Sequence, residues 1–383
     1  MPGGFVAIVA VKLITNTSAR FVYAFLPTIA RGLGVSLGSA GVLASVRWAM
    51  GATTPLVIRA AGTEHRRRVA LTGLGLFVFG ALLTAATGVF VGAMVGFALM
   101  GVAKPVFDTA AQAFVSDRVP YARRARTVGL IESTWAVSFL VGAPAAGWAM
   151  ERWGWATPFW VVGLVGAALV VPVARSFRPN ADVPVATGGI RWDRSSIGFL
   201  TATVAVVGSV ELVLITFAAW LETDFGFTVA GLAGVAFAIG CGELIAEGAT
   251  VVITDRLGKV RSVVAGLGLS VVAYLVMAGT DSSQVAVAAL VVGIAAFEFA
   301  FVSSISLATE LQREARMAFL SRFVVAQASG RAVTAIAGVA LFAAGGMRAV
   351  AVVAAASASV AAVVMLRVVR DHGFPASQPR RRE

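Results

Sequence analysis

GVAKPVFDTAAQAF, residues 101–114, sets Lys104 and Asp108 one helical turn apart in a stretch otherwise apolar enough for lipid. A charged side chain at a lipid-facing helix centre costs about 2.5–3.5 kcal/mol on an insertion scale. The i, i+4 spacing puts both groups on one helix face, and Pro105 removes a backbone donor between them. Such a segment is stable only if that face looks onto protein or a wet cavity. The rest of the chain therefore has to supply neighbours.

The whole composition fits that setting. Of 383 residues, 58% are hydrophobic and 13% charged, and the mean hydropathy is +0.88. Soluble domains carry about 25% charged residues. The single Cys241 permits no intramolecular disulfide, and His65 and His372 both fall in polar segments. No cluster has metal-ligand spacing, and no cofactor or metal is expected.

A spanning helix needs roughly 20 mainly apolar residues. That ruler predicts twelve spans, at about 5–30, 37–59, 68–87, 89–116, 124–150, 156–174, 195–221, 228–254, 262–280, 284–310, 317–344 and 347–369. The first lacks a basic leader and runs beyond a short apolar core, so it reads as a retained span. With the N-terminus inside, 22 of the 31 basic residues fall in inner connections and the tail, against Arg31, Arg152 and Arg348 outside. That bias predicts both termini in the cytoplasm. It also accounts for the net charge of +12 without nucleic acid. Trp148, Trp153, Trp155 and Trp160 gather at the expected outer end of spans 5 and 6, as interfacial anchors do.

The polar connection at 175–194 divides the chain into an N-terminal bundle (1–174) and a C-terminal bundle (195–370), with a cytoplasmic tail at 371–383. The halves repeat weakly. RVALTGLGL at 68–76 matches RSVVAGLGL at 261–269, an offset of 193, and Gly101 in GVAKPVF matches Gly293 in GIAAFEF at 192. Duplicated six-helix halves are a transporter architecture with the site at mid-membrane between them.

Several motifs carry a resemblance. TDRLGKVRS (254–262) is similar to the D-R-x-G-[RK]-x-[RK] loop motif of the major facilitator superfamily, and GAPAAG (142–147) to the Gly-Pro signature of its antiporters. DRVPYARRARTVGLIESTWAVSFLVG (117–142) resembles the helix 4–5 region of bacterial sugar- or drug-efflux permeases of the arabinose-efflux type. AGTEHRRRVA (61–70) keeps the arginines of the loop motif but not its core. Phe97 stands where many drug–proton antiporters carry an arginine, so their coupling rules do not transfer. The resemblance implies an all-α major facilitator fold of two pseudo-symmetric six-helix bundles, in the bacterial inner (plasma) membrane. It implies alternating access by one monomeric chain to a small-molecule substrate, with protons as the second partner.

The residues themselves suggest where the work is done. Asp255, Arg256, Gly258, Lys259 and Arg261 could lock one rocking half against the other. Gly142 and Gly147 allow close helix approach, and Pro144 favours a kink. Six cations (Lys12, Arg20, Arg47, Lys104, Arg322, Arg331) and six acids (Asp108, Glu132, Glu211, Glu243, Glu247, Glu298) lie within the spans. Equal numbers make pairing feasible. Lys12, Asn16 and Arg20 form one stripe on span 1, and Gln327, Arg331 and Thr334 one on span 11. These side chains, with Arg47, Lys104, Glu211 and Glu298, are the expected cavity lining. Glu243, Glu247 and Arg322 are expected nearer the inner surface in structural or gating roles.

Asp108 and Glu132 are the expected proton-coupling acids, each about 13 Å from the inner boundary by helix rise. Asp108 has Lys104 as partner, whereas Glu132 has no cation at i±3 or i±4 and is the freer of the two. The expected function is proton-coupled export of a drug- or sugar-like solute. Lipid flipping on the same scaffold, or a receptor or scaffold role, are the alternatives. Intramembrane enzyme chemistry finds no support, since H-E-x-x-H, G-x-S-x-G and a Walker loop are all missing.

Overall fold

The computed structural model describes residues 4–61, 66–119, 127, 129–177, 190–312 and 315–369. Every element given an extent below is helical. In order they are α1 (Phe5–Ala24), α2 (Leu26–Gly32), α3 (Leu37–Gly51), α4 (Thr54–Ala61), α5 (Arg66–Thr87), α6 (Phe90–Arg118) and α7 (Thr134–Val137). A π-helical turn, Ser138–Gly142, leads into α8 (Ala143–Trp153). Then come α9 (Thr157–Ser176), α10 (Arg194–Phe225), α11 (Val229–Leu257), α12 (Lys259–Gly279), α13 (Ser283–Leu311) and α14 (Arg316–Val368).

Nine helices among the described residues are long and apolar enough to cross a membrane, or up to ten if the bent pair α2 and α3 (111°) counts as one. Proline chemistry explains why the first two expected spans each come in two pieces. α1 stops at Phe25, and Pro27 opens α2 as a residue whose missing N–H costs nothing at a helix start. Pro55 cannot donate to the Gly51 carbonyl, and the Thr54 hydroxyl takes that acceptor instead at 2.6 Å. Pro144 likewise cannot bond the Leu140 carbonyl, and the turn just before it widens to π geometry. α14 carries two expected spans as one run, broken by non-helical Gly345 and by Gly346 at φ +61°, a value glycine adopts without strain.

The repeat noticed at 68–76 and 261–269 is structural. A Cβ on Gly73 would stand 3.1 Å from the Ala103 carbonyl and 2.8 Å from the Phe107 nitrogen. One on Gly266 would stand 2.7 Å from the Ala296 carbonyl and 3.0 Å from the Ala300 nitrogen. All three positions are related by the same offset of 193, so α5 meets α6 as α12 meets α13. That register pairs Gly293 with Met100, and the match of Gly101 with Gly293 at 192 is not structural. Gly101 instead lets α6 approach α3, its absent Cβ lying 2.0 Å from the Arg47 carbonyl. Gly293 faces Ala273 and Tyr274 of α12.

Polar contacts between the halves run from mid-helix to the end opposite the termini. Ser45 donates to the Ala332 carbonyl at 2.6 Å, Arg31 pairs with Glu222, and the Ala230 N–H donates to Glu151 at 2.9 Å. Apolar closure accompanies them where Gly147 faces Phe25 and Ala233, and Gly41 faces Val339. Deepest is Gly240, whose absent Cβ would lie 2.5 Å from the Leu140 nitrogen. Toward the termini the facing surfaces part: Gln112, Ser321 and Arg322 are exposed and Glu247 is half-buried. That end is the more open of the two.

Trp148 and Trp153 are exposed and stack edge to face at 4.8 Å, and Trp160 is exposed as well. Trp155 is half-buried. It covers Gly32, whose Cβ would sit 2.1 Å from the indole, and so closes the end of α2.

Candidate functional site: two polar centres

The charges of the spans collect into two centres. Nearer the open end, Asp108 of α6 lies between two lysines, 2.8 Å from Lys104 and 2.9 Å from Lys12 of α1. Lys12 also reaches Glu132 at 3.5 Å. The equal depth that helix rise assigned to Asp108 and Glu132 therefore brings both to one ammonium. Ala111, Gln112, Val115 and Ile131 complete the small pocket around Lys12, Asp108 and Glu132. The freer acid of the sequence is not free: Lys12 reaches it from another helix, a contact that spacing along one helix cannot show. Glu132 is still the more exposed of the two acids, its side chain 55% exposed against 22% for Asp108.

The second centre lies deeper and joins the halves. Arg20 of α1 pairs with Glu243 of α11, each side chain 1% exposed. The guanidinium lies 3.6 Å from the Phe139 ring centroid and 4.5 Å from that of Trp135. Glu211 of α10 accepts from Tyr23 at 2.8 Å and from Arg331 of α14 at 2.8 Å. Trp48 donates to the Tyr23 hydroxyl at 2.8 Å, and Arg331 stacks over Trp48 at 4.9 Å. Such pairs hold because removing two charges from water is offset only by close, well-bonded partners.

The span 1 stripe behaves as its spacing requires, with Lys12, Asn16 and Arg20 all buried. Asn16 donates to Thr134 at 2.9 Å. Arg47 is held differently from the expected pairing, donating at 3.0 Å to both the carbonyl and the hydroxyl of Ser18. Glu298 is buried, 5% exposed, and Gln327 half-buried. Glu243 is a correction: its central helix position places it at the core of the interface, not near the inner surface. Arg322 is exposed and takes no part. Tyr23, Trp48, Trp135 and Phe139 were not foreseen. Tyr23 was findable, since it continues the 12–16–20 stripe at i+3.

In the loop motif, Gly258 makes the turn between α11 and α12 at φ +88°. Lys259 pairs with Glu310 of the same half, so it does not bridge the halves, and Arg256 and Arg261 are exposed. The Asp255 side chain lies outside the described residues, as do residues 178–189 of the central connection and 370–383 of the tail. In the Gly-Pro motif, Gly142 abuts Thr17 of α1 and Gly147 abuts Phe25, while Pro144 follows the π turn. Among the described residues no group of three or more His, Cys, Asp or Glu could hold a metal ion.

The sequence model of the Major Facilitator Superfamily matches residues 8–196 and again 197–383. The chain belongs to that superfamily. It is 26% identical over 230 residues to the uncharacterized MFS-type transporter YwfA of Bacillus subtilis, 56% of this chain and 55% of that one. The match thus spans about half the length of that relative. To YbcL, an uncharacterized MFS-type transporter of the same organism, it is 22% identical over 74% of each chain. Among solved structures it resembles a POT family transporter in complex with a thioalcohol-conjugated peptide (TM-score 0.79, 11% identity, 96% of this chain and 98% of that one). It also resembles a bacterial homologue of the human lysosomal transporter Spinster, inward-facing and unoccupied (TM-score 0.74, 12% identity, 97% and 98% covered). At such identities the likeness speaks for the fold. The family is one of multi-pass membrane transporters, in keeping with the apolar helices of this chain.

Proposed function

We propose that this chain is a proton-coupled exporter of a small organic solute in the bacterial inner membrane, working by alternating access. The observation that carries the reading is the pair of charged centres, one of Lys12, Lys104, Asp108 and Glu132 in the N-terminal bundle near the open end, the deeper one joining the bundles. Twelve spans fit if α14 makes two passes about Gly345 and Gly346, and if α1 with α2, α3 with α4, and 129–153 make one each. The basic bias then puts the open end and both termini in the cytoplasm, with bundles at 1–174 and 195–370 joined by 175–194.

Glu132 is the proton carrier in this reading. It is exposed, it shares Lys12 with Asp108, and opening the cavity to the other side would remove it from water. Asp108 is the fixed counter-ion of Lys104. A solute that displaces Lys12 from Glu132 links binding to protonation. Gly142, Pro144 and Gly147 set the closure of the outer end, and the 255–261 loop acts when the inner end closes.

The test is flux of drug- and sugar-like radiolabelled solutes into proteoliposomes, with and without an imposed pH gradient. One solute should accumulate only with the gradient. Glu132→Gln should abolish that response while solute-for-solute exchange persists. Equal flux under both conditions ends proton coupling, and full gradient-driven transport by the variant ends the assignment of Glu132.

A further inference from the structure

Seven of the eight tryptophans lie at mid-helix or at the end opposite the termini. Trp192 alone stands at the end where the termini lie, in IRWDRSS (190–196) just before α10, and it is 57% exposed. The backbone on both sides of it is pinned. Gln312, buried just past α13, accepts from the Arg191 N–H at 3.2 Å. The same side chain donates to the Arg191 carbonyl and to the Ser196 hydroxyl, both at 2.8 Å. Asp193 caps α10 by accepting from the Ser196 N–H at 2.7 Å, and Ile190 packs against the core. An indole held out from the core by a fixed backbone faces what surrounds the protein. Its amphipathic ring is favoured at the level of lipid headgroups.

Three arginines flank it. Arg191, Arg194 and Arg367 are exposed, and their side chains make no hydrogen bond or ion pair among the described residues. The seam between α10 and α14 brings them to one end. A Cβ on Gly198 would lie 2.4 Å from Val368, and Ser357 donates to the Ala205 carbonyl at 3.0 Å. The two helices therefore run side by side in opposite directions. Arg194 comes one turn before Gly198, and Arg367 adjoins Val368. The acids beside this segment are engaged, Asp193 by the Ser196 N–H and Glu310 by Lys259. Guanidinium forks match the oxygens of a phosphate.

Farther from the end the same two helices are apolar on the outside, with Ile197, Val204, Val363 and Leu366 all exposed. A basic and aromatic end above an aliphatic flank matches the two parts of a phospholipid. A free phosphate makes no use of the flank. A phosphocholine headgroup brings its own cation toward the arginines, whereas a headgroup of net negative charge does not.

We propose that the seam between the start of α10 and the end of α14 binds a phospholipid with an anionic headgroup. Arg191, Arg194 and Arg367 hold the phosphate, Trp192 lies at headgroup level, and the acyl chains cover Ile197 and Leu366. Attraction of basic side chains to an anionic leaflet is here focused on one place by the Gln312 clamp. The lipid ties the last residues of the connection between the halves to the membrane, whatever solute is carried.

The test is thermal unfolding of the detergent-purified full chain with added dioleoylphosphatidylglycerol or dioleoylphosphatidylcholine, which share their acyl chains. The glycerol lipid should raise the unfolding temperature by several degrees more than the choline lipid. Arg191→Gln, Arg194→Gln and Arg367→Gln together should remove at least half of that difference. Arg67→Gln with Arg68→Gln, exposed on α5 at the same end, should leave it intact. Quenching of tryptophan fluorescence by the brominated forms of the two lipids tests the native chain directly. The glycerol form should quench more strongly, and Trp192→Phe should abolish that excess. Equal stabilisation by both lipids, an undiminished difference in the triple variant, or an equal loss in the α5 variant overturns the proposal. So does an excess of quenching that survives Trp192→Phe. Inorganic phosphate that reproduced the whole shift would assign the arginines to a free anion and overturn the lipid.

Discussion

Arg20 on the first helix and Glu243 on α11, 223 residues later, form an ion pair across the boundary between the halves. Both side chains are almost wholly removed from solvent. The pair is therefore at once a structural clamp and a part of the surface that must rearrange when the halves rock.

Breaking such a pair leaves one charge buried alone, which costs about 3–5 kcal/mol. Glu243→Gln and Arg20→Gln should each lower the unfolding temperature in detergent. The double variant should be more stable than the sum of the two losses predicts, because no lone charge remains. Strict additivity in a double-mutant cycle would mean that the two groups do not interact.

The repeat offers an internally controlled test. Gly73→Ala and Gly266→Ala put a methyl against backbone of the neighbouring helix, and overpacking of this kind costs about 1–3 kcal/mol. Gly75 and Gly268, also related by 193, face open space and should accept alanine with no loss. Thermal unfolding of the four variants checks it. Equal behaviour of all four would contradict the shared geometry of α5–α6 and α12–α13.

Closure of the end opposite the termini depends on Gly240 meeting Leu140. Gly240→Leu should wedge α11 from the π turn and open that end. In a Cys241→Ser background, a cysteine replacing the fully buried Phe25 should then react with a water-soluble thiol reagent severalfold faster than without the wedge. An unchanged labelling rate would show that closure rests on Arg31–Glu222 and Glu151 instead.

Asp108→Asn would leave Lys12 and Lys104 facing each other without the carboxylate between them. Reduced folded yield is expected, and Lys104→Met added to it should restore part of the loss. If Asp108→Asn alone is as stable as the parent, water at this open end already screens the two lysines.

The sequence determined the class and the inventory. Hydropathy, the basic bias and the paired charges follow from the free energy of placing residues in lipid, which depends on each segment by itself. Breaks at Pro27, Pro55 and Gly345–Gly346 belong to the same local chemistry, although only the last was read as a boundary beforehand. The stripe at Lys12, Asn16 and Arg20 was legible because helical periodicity is a property of one segment. Partner choice was not. Lys12 meets Asp108 and Glu132, Arg20 meets Glu243 rather than another acid, and Arg47 meets Ser18, because those contacts depend on how separate helices rotate and cross. The offset of 193 was visible, yet only close approach at Gly73 and Gly266 separated it from the chance match at 192. Periodicity fixes which residues share a face, whereas packing between helices fixes what that face meets, and packing alone left Glu298 with no hydrogen bond or ion pair among the described residues.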